Sequence, residues 1–166
     1  MNLAEFNQLS PVQAKAVLQP CVHIATWVES LVQQRPFSLK DQLYQYAAAQ
    51  AQTWQWPEIA EALAQHPRIG ERKAAVALSK KEQSYSQTEQ AQLGTDAELQ
   101  QALYQGNLDY EHKFGHIFLI RAAGRSGQEM LSELHRRLSN SVEQEQQEVQ
   151  QQLAEIALLR LKQEIQ

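Results

Sequence analysis

Long apolar stretches are missing from this chain. Its 166 residues are 43% hydrophobic, yet no run approaches the roughly 18 apolar residues that a membrane-spanning helix needs. The opening "MNLAEFNQLS" has neither the basic nor the apolar region of a secretory signal, and "LKQEIQ" at the other end carries no lipidation or peroxisomal address. We therefore expect neither a membrane span nor secretion.

Cysteine and clustered positive charge are also scarce. Cys21 is the single cysteine, so no internal disulfide can form and a reducing compartment is expected. The formal net charge is −4 and the lysines and arginines are scattered, which argues against a surface that follows nucleic-acid phosphates. The sequence thus predicts a cytoplasmic protein with no nucleic-acid or membrane partner.

Helix signals fill most of the sequence. Apolar side chains recur at helical spacing, and caps or prolines mark expected starts near Ser10, Val22, Ser38, Pro57, Thr95, Gln128 and Val142. The apolar stretch "HIFLIRAAG" (116–124) has no second strand to pair with, so buried helix or extended chain is expected there. With no repeat and no linker, the sequence predicts one all-α domain over 1–166, a helical bundle of about seven to eight helices.

His66 stands where a helix is expected to end. Pro67 disfavours helical backbone in the residue before it, so His66 should be extended, just beyond the helix that carries Leu63. A histidine there titrates near neutrality and can give or take a proton across a cleft. A solvated histidine at a helix C-terminus, where positive charge suits the helix dipole, is the commoner case. Spacing alone leaves both interpretations open.

A capping-box pattern occurs twice in the middle of the chain. Ser86 is followed three residues later by Glu89, and Ser79 by Glu82. Each pair can simply start a helix. A helix start also gathers free N–H groups that bind anionic or carbonyl oxygens, and a neighbouring carboxylate and carboxamide can recognise a polar heterocycle. The pattern itself does not decide which copy matters.

Three further features carry alternatives. His112 and His116 have the spacing of two metal ligands on a helix, but Gly115 lies between them and no third ligand is evident, so no metal site is expected. Arg160, within "IALLRL", either extends to solvent from a packed helix or is partly buried and directed at an anion. The glutamine-rich run "EQEQQEVQQQ" (143–152) is interpreted as an exposed helix face.

Taken in order, several motifs resemble the OHCU decarboxylase family, named for 2-oxo-4-hydroxy-4-carboxy-5-ureidoimidazoline. The resemblance covers nearly the whole chain and rests on "RPF" (35–37), "HPRIGE" (66–71), "SQTEQAQL" (86–93), "YEHKFGHIFLIRAAG" (110–124) and "EIALLRL" (155–161). No single motif is very specific, but their order and spacing together are. Many relatives have an aromatic-proline pair where this chain has His116-Ile117, and some have cysteine at the position of Arg121.

The resemblance implies a cofactor-free enzyme of urate breakdown. Such an enzyme acts after urate has been oxidised and the product hydrolysed, removes CO₂ from the unstable ureidoimidazoline and releases (S)-allantoin. The resemblance also suggests a homodimer. A small-molecule substrate is the implied partner, with no metal or other cofactor.

The resemblance further implies a set of site residues. His66 matches the family's proton donor and Pro67 a residue of the substrate site. Ser86 through Gln90 match the segment that contacts the heterocycle, and the continuation "EQAQL" favours Glu89 over Glu82. The late arginine matches Arg160. The segment that lines the pocket partly through its backbone matches Phe118, Leu119, Ile120, Arg121 and Ala122.

These matches give His66, Glu89 and Arg160 catalytic roles as a hypothesis. His66 donates a proton, Glu89 and Gln90 hold ring or ureido N–H groups, and Arg160 binds a carboxylate or carbonyl with both prongs of its guanidinium. Two other classes of function are kept beside it: a non-catalytic helical module that binds a protein partner, and a metal-dependent hydrolase using His112 and His116.

Overall fold

Helices make up all the regular secondary structure in the described part of the chain. We analysed a computed structural model, which describes residues 1–70, 80–89 and 96–166, with the side chains of 86–89 outside that description. The all-α prediction is confirmed. The helices are α1 (Leu3–Gln8), α2 (Pro11–Leu18), α3 (Ala25–Gln34), α4 (Lys40–Ala51), α5 (Trp56–Leu63), α6 (Lys80–Glu89), α7 (Ala97–Phe114), α8 (Gly127–Arg137) and α9 (Val142–Glu164).

Nine helices therefore occur in the described residues, against about seven to eight expected. The two that lie outside the seven expected helix starts are α1 and α6. The first has only six residues and is fixed by a capping box between Asn2 and Glu5 and by the fully buried Phe6. A helix this short depends on tertiary packing, which leaves little periodicity to detect. None of the described helices is both long and apolar enough to cross a bilayer.

Local signals located most of the other helix ends. Ser10 caps α2 together with Gln13, as the sequence predicted. Gly115 ends α7 in the left-handed region at φ 78°, which confirms it as the terminator. The start of that helix is capped by Asp96, which accepts hydrogen bonds from the N–H groups of Glu98 and Leu99. Thr95, the predicted start, lies outside the described residues.

The chain divides into two compact units, of which unit 1 comprises Met1–Ala62 and Leu153–Gln166. Its core includes Trp27, whose ring meets Trp54 edge-on at 6.5 Å and whose Nε1 donates to the Ala47 carbonyl at 3.0 Å. The Tyr44 hydroxyl donates to the carbonyl of Ile165 at 2.6 Å and so fastens the end of the chain to α4.

Unit 2 comprises Leu63–Gln152 and has its own apolar cluster. Helices α7 and α8 approach closely, because a Cβ added to Gly106 would lie 2.7 Å from Cδ2 of Leu134. The buried members of this cluster are Ile69, Leu103, Tyr110, Phe118, Ile120, Ala122, Met130, Leu131 and Leu134.

The cap of α7 gives a first test. Replacing Asp96 by alanine removes the acceptor for two otherwise unpaired N–H groups and should lower the free energy of unfolding by about 1 kcal/mol, measured by urea denaturation. Asp96→Asn keeps an acceptor oxygen and should stay close to the parent protein. Equal midpoints for the alanine variant and the parent would contradict a stabilising cap.

Candidate active site

His66 lies in a turn that follows α5. The helix ends at Leu63, and the His66 N–H donates to the Leu63 carbonyl at 3.0 Å. The side chain of His66 is half-buried. Gly70 closes the turn at φ 87°, a left-handed conformation that favours glycine. The predicted helix end before His66-Pro67 is confirmed.

Two side chains of α7 fasten this turn. Arg68 donates to both carboxylate oxygens of Glu111, from Nε and from Nη2, the latter at 3.3 Å. The buried Asn107 donates from Nδ2 to the Ile69 carbonyl at 3.0 Å. Asn107 and Glu111 are four residues apart and therefore lie on one face of the helix. Pro67 thus stands between a half-buried imidazole and an anchored arginine.

The segment after α7 lies in the same apolar cluster as this turn. Phe118, Ile120 and Ala122 join Ile69 in the core of unit 2. Residues two apart share one side only in extended chain, so the extended alternative predicted for "HIFLIRAAG" is the one adopted. The structure therefore joins the His66 turn and part of the predicted pocket lining in one cluster.

Side chains supply hydrogen bonds to the backbone of this segment. The Leu119 carbonyl accepts from Nη1 of Arg137 at 2.8 Å, and the Arg121 N–H donates to Oε1 of Gln152 at 2.9 Å. Nη1 of Arg121 donates to the Ala123 carbonyl. The backbone of the predicted pocket lining is thus held by α8 and α9.

Arg137 belongs to a buried polar network that the sequence did not reveal. Its Nε donates to Oε1 of Glu145 at 2.8 Å, and the two residues are 1% and 0% exposed. The Tyr110 hydroxyl donates to the same carboxylate at 2.5 Å, and Nδ2 of Asn140 donates to its Oε2 at 2.9 Å. Burial and the hydrogen bond to Glu145 raise the pKa of the Tyr110 hydroxyl far above its ordinary value, so it remains a donor.

This network adds an exception to the interpretation of the glutamine-rich run as an exposed face, which holds for most of its polar residues. Glu145 lies in that run and is completely buried, in line with the buried Val149 and Leu153. The spacing of four residues between Glu145, Val149 and Leu153 was the available signal that Glu145 shares their buried face. The charge of Glu145 argued against burial, because an acidic residue among glutamines is usually solvated.

Helix α6 corrects one interpretation of the Ser86–Glu89 pattern. The helix begins at Lys80, so residues 86–89 form its last turn and not its first. A last turn leaves carbonyls unpaired instead of N–H groups, and the expected free N–H groups near Ser86 are absent from the described helix. The start falls next to the upstream copy, at Ser79–Glu82. Gln90 and Ser79 lie outside the described residues.

Arg160 is a buried residue of α9 in unit 1. It is 4% exposed, and its Nη1 donates to the Pro20 carbonyl at 3.3 Å. This burial supports the second of the two alternatives, a buried arginine over one that extends to solvent. His66 and the 118–122 segment belong to unit 2, so a pocket shared with Arg160 stays a prediction.

The two histidines considered as metal ligands are separated by the end of α7. His112 is exposed on the helix, whereas His116 follows Gly115 and packs its ring against Tyr110 and Phe114, with centroids 5.5 Å and 6.2 Å away. Among the described residues, no group of three His, Cys, Asp or Glu side chains is arranged to hold a metal ion.

Comparison with known proteins shows which family the chain belongs to. The family model for OHCU decarboxylase matches residues 7–162, which span both units and every motif discussed above. The chain belongs to the OHCU decarboxylase family. The family is named for a decarboxylase, which is a carboxy-lyase.

Individual relatives are distant in sequence and close in fold. The uric acid degradation bifunctional protein of Bacillus sp. (strain TB-90) is 26% identical over 165 residues, which are 97% of this chain, and the chain spans about a third (32%) of that protein. A crystal structure of OHCU decarboxylase in the presence of (S)-allantoin matches with a TM-score of 0.71 and 25% identity over 87% of this chain and 94% of that one.

A second solved structure supports the fold alone. The crystal structure of (S)-allantoin synthase matches with a TM-score of 0.72 at 20% identity, and the match covers all of this chain and 54% of that one.

A double-mutant cycle tests the anchoring of the His66 turn. Arg68→Met, Glu111→Gln and the double variant should give a coupling energy of about 0.5–1 kcal/mol in urea unfolding, because the pair is two-pronged and partly buried. The exposed pair Lys15–Glu29, joined at 3.3 Å, is the control and should couple more weakly. Equal coupling in both cycles would count against the anchor.

Proposed function

We propose that this chain decarboxylates 2-oxo-4-hydroxy-4-carboxy-5-ureidoimidazoline to (S)-allantoin and CO₂ without a cofactor. The observation that carries the proposal is the family match over residues 7–162. A similar structure obtained in the presence of (S)-allantoin adds support. Because the curated relative is about three times as long and bifunctional, its remaining activity is not carried over.

The chemistry needs a place for the electrons of the broken C–C bond. In this substrate the carboxylate is on a carbon next to ring nitrogen and carbonyl groups, so loss of CO₂ leaves an enolate-like carbanion that the heterocycle delocalises. The protein has to hold the carboxylate perpendicular to the ring, stabilise the developing oxyanion with fixed donors, and deliver a proton to one face.

His66 is the proposed proton donor. Its imidazole is half-buried in a turn whose following residues are held by Glu111 and Asn107. An imidazole titrates close to neutrality and can be a general acid. Because a turn anchored at two points limits where the ring can go, protonation from one side gives one enantiomer. Pro67 adds an apolar contact beside it.

Glu89, Gln90 and Ser86 are proposed to bind the ring and ureido groups. The backbone of α6 carries Ser86 and Glu89 in its last turn. A carboxylate accepts N–H donors and a carboxamide can pair with an N–H and a carbonyl at once. Their joint role is orientation, so that the scissile bond stays perpendicular to the ring.

Arg160 is proposed to bind the carboxylate or a ring carbonyl. A guanidinium forms two parallel hydrogen bonds to such groups, and burial of Arg160 removes competing water. The side chains of Phe118, Leu119, Ile120 and Ala122 are all less than 5% exposed and would supply apolar lining, with Arg121 at its edge. Low polarity favours a transition state that approaches neutral CO₂ over a solvated carboxylate.

Two broader properties are also proposed. The family resemblance suggests a homodimer, and the single cysteine together with the absence of an apolar run favours the cytoplasm. Sedimentation of the purified protein would test the first.

Replacement of His66 tests the proposed function. His66→Ala should lower kcat by about 10²–10⁴-fold, as expected for a lost general acid. The assay supplies freshly generated substrate and follows the chirality of the allantoin, because the spontaneous reaction gives a racemate. His112→Ala, an exposed histidine of α7, is the matched control and should keep the rate and the enantiomeric excess. Rapid, (S)-selective turnover by the His66 variant would exclude His66 as the donor.

Arg160→Lys tests the guanidinium. A lysine keeps the charge but offers no planar pair of donors, so kcat/KM should fall by about 10–100-fold, the equivalent of one charged hydrogen bond. Arg136→Lys, at a surface ion pair of α8, is the control. Unchanged saturation kinetics of the Arg160 variant would remove this residue from the site.

A further inference from the structure

The backbone of the 118–122 segment poses a pairing problem. Every buried N–H and C=O needs a partner, yet this segment belongs to no helix or strand. Nη1 of Arg137 donates to the Leu119 carbonyl at 2.8 Å, and Oε1 of Gln152 accepts from the Arg121 N–H at 2.9 Å. Each of these hydrogen bonds belongs to one of the two peptide units on either side of Ile120.

The two contacts fix the direction of both peptide units. In a trans peptide the C=O and the following N–H point in opposite directions, and the cis bond found among the described residues is Arg35–Pro36. The N–H of Ile120 therefore points away from Arg137, and its C=O points away from Gln152. No hydrogen-bond partner for either group occurs among the described residues, although Ile120 is only 3% exposed.

We propose that Arg137 and Gln152 are positioning residues. By holding the Leu119 C=O and the Arg121 N–H, they turn the N–H and C=O of Ile120, a residue of the predicted pocket lining, toward substrate. A donor and an acceptor on one residue of extended chain face the same side. They match the adjacent N–H and C=O groups of the ureido or ring amide edge. The inference rests on the proposed function, because it concerns how that substrate is oriented.

Arg137 is itself held in place and can therefore fix the position of the Leu119 carbonyl. Its Nε and Nη2 lie 2.8 Å and 2.6 Å from Oε1 of Glu145, and its guanidinium covers the Phe118 ring at 4.5 Å. Glu145 is in turn fixed by Tyr110 and Asn140. Nη1 is thus bound to a backbone carbonyl and Nε to a fixed carboxylate, so rotation of the arginine side chain would break at least one of these hydrogen bonds.

The energetics also favour a positioning role over a purely stabilising one. Burial of Arg137 and Glu145 costs hydration free energy that their mutual attraction only about offsets. Proteins in which such a pair is replaced by well-packed apolar residues are often as stable. An apolar replacement has no donor for the Leu119 carbonyl. Stability and positioning can therefore be separated by mutation.

The first experiment removes the whole network at once. The triple variant Tyr110→Phe/Arg137→Met/Glu145→Leu leaves no buried charge unpaired, so its melting temperature should stay close to that of the parent. Its KM should rise and kcat/KM fall by about 10–100-fold, as expected for a substrate displaced by a fraction of an ångström to an ångström. Arg136→Met, the neighbouring arginine paired with Glu133 and Glu148 at the surface, is the control.

The second experiment uses Gln152, which is half-buried on α9, so its replacement is expected to leave the fold intact. Gln152→Met removes the acceptor for the Arg121 N–H and should raise KM by about tenfold, the equivalent of one hydrogen bond of average strength. Gln152→Glu keeps an acceptor oxygen and should restore KM. This rescue distinguishes positioning from a general loss of packing.

The outcomes separate the two proposals. If the parent makes (S)-allantoin, and the Gln152→Met and triple variants both fold with unchanged KM, the positioning role is overturned while the proposed function stands. A triple variant that does not fold leaves the decision to the Gln152 pair. If the parent yields only racemic product at the spontaneous rate, both proposals fall.

Discussion

The buried contact between Arg137 and Glu145 is the interaction on which unit 2 depends. It connects α8 with the first turn of α9. Glu145 also accepts from the Tyr110 hydroxyl of α7, and Nη1 of Arg137 donates to the Leu119 carbonyl. A pair of opposite charges in a low-dielectric interior tolerates little displacement, because each lost contact leaves a desolvated group. The network therefore transmits the positions of three helices to one short stretch of backbone.

Helix α7 also fixes the second part of the candidate site, the turn that follows His66. Asn107 and Glu111 of α7 hold the turn that follows His66, and Tyr110 lies between them in sequence on the side of the buried network. Ile69 of the turn and Ile120 of the extended segment meet in one apolar cluster. The proposed proton donor, His66, and the backbone proposed to bind substrate are thus both positioned through contacts that involve α7.

Features with local causes could be predicted from the sequence. Ser10, Gly115 and Pro67 determine nearby backbone through their own hydrogen bonds or dihedral limits, and the structure agrees at each. Helix α6 was missed and Ser86 was assigned to the wrong end of it, because the capping pattern occurs twice within ten residues. Glu145 and Arg137 were missed because their burial depends on tertiary packing, in which Glu145 also accepts from Tyr110, 35 residues earlier in the chain.

The extended segment illustrates what an all-helical protein has to do to bind a polar heterocycle. Inside a helix every backbone N–H and C=O is already paired, and only the ends offer free groups. Helix α6 offers no N-terminal donors at Ser86, so the donors have to come from elsewhere. Interrupting the helices at Gly115 leaves four buried residues of the 118–122 segment outside any helix, but unpaired buried peptides are costly. Side chains from α8 and α9 satisfy one edge of this backbone and leave the other edge, at Ile120, for a ligand.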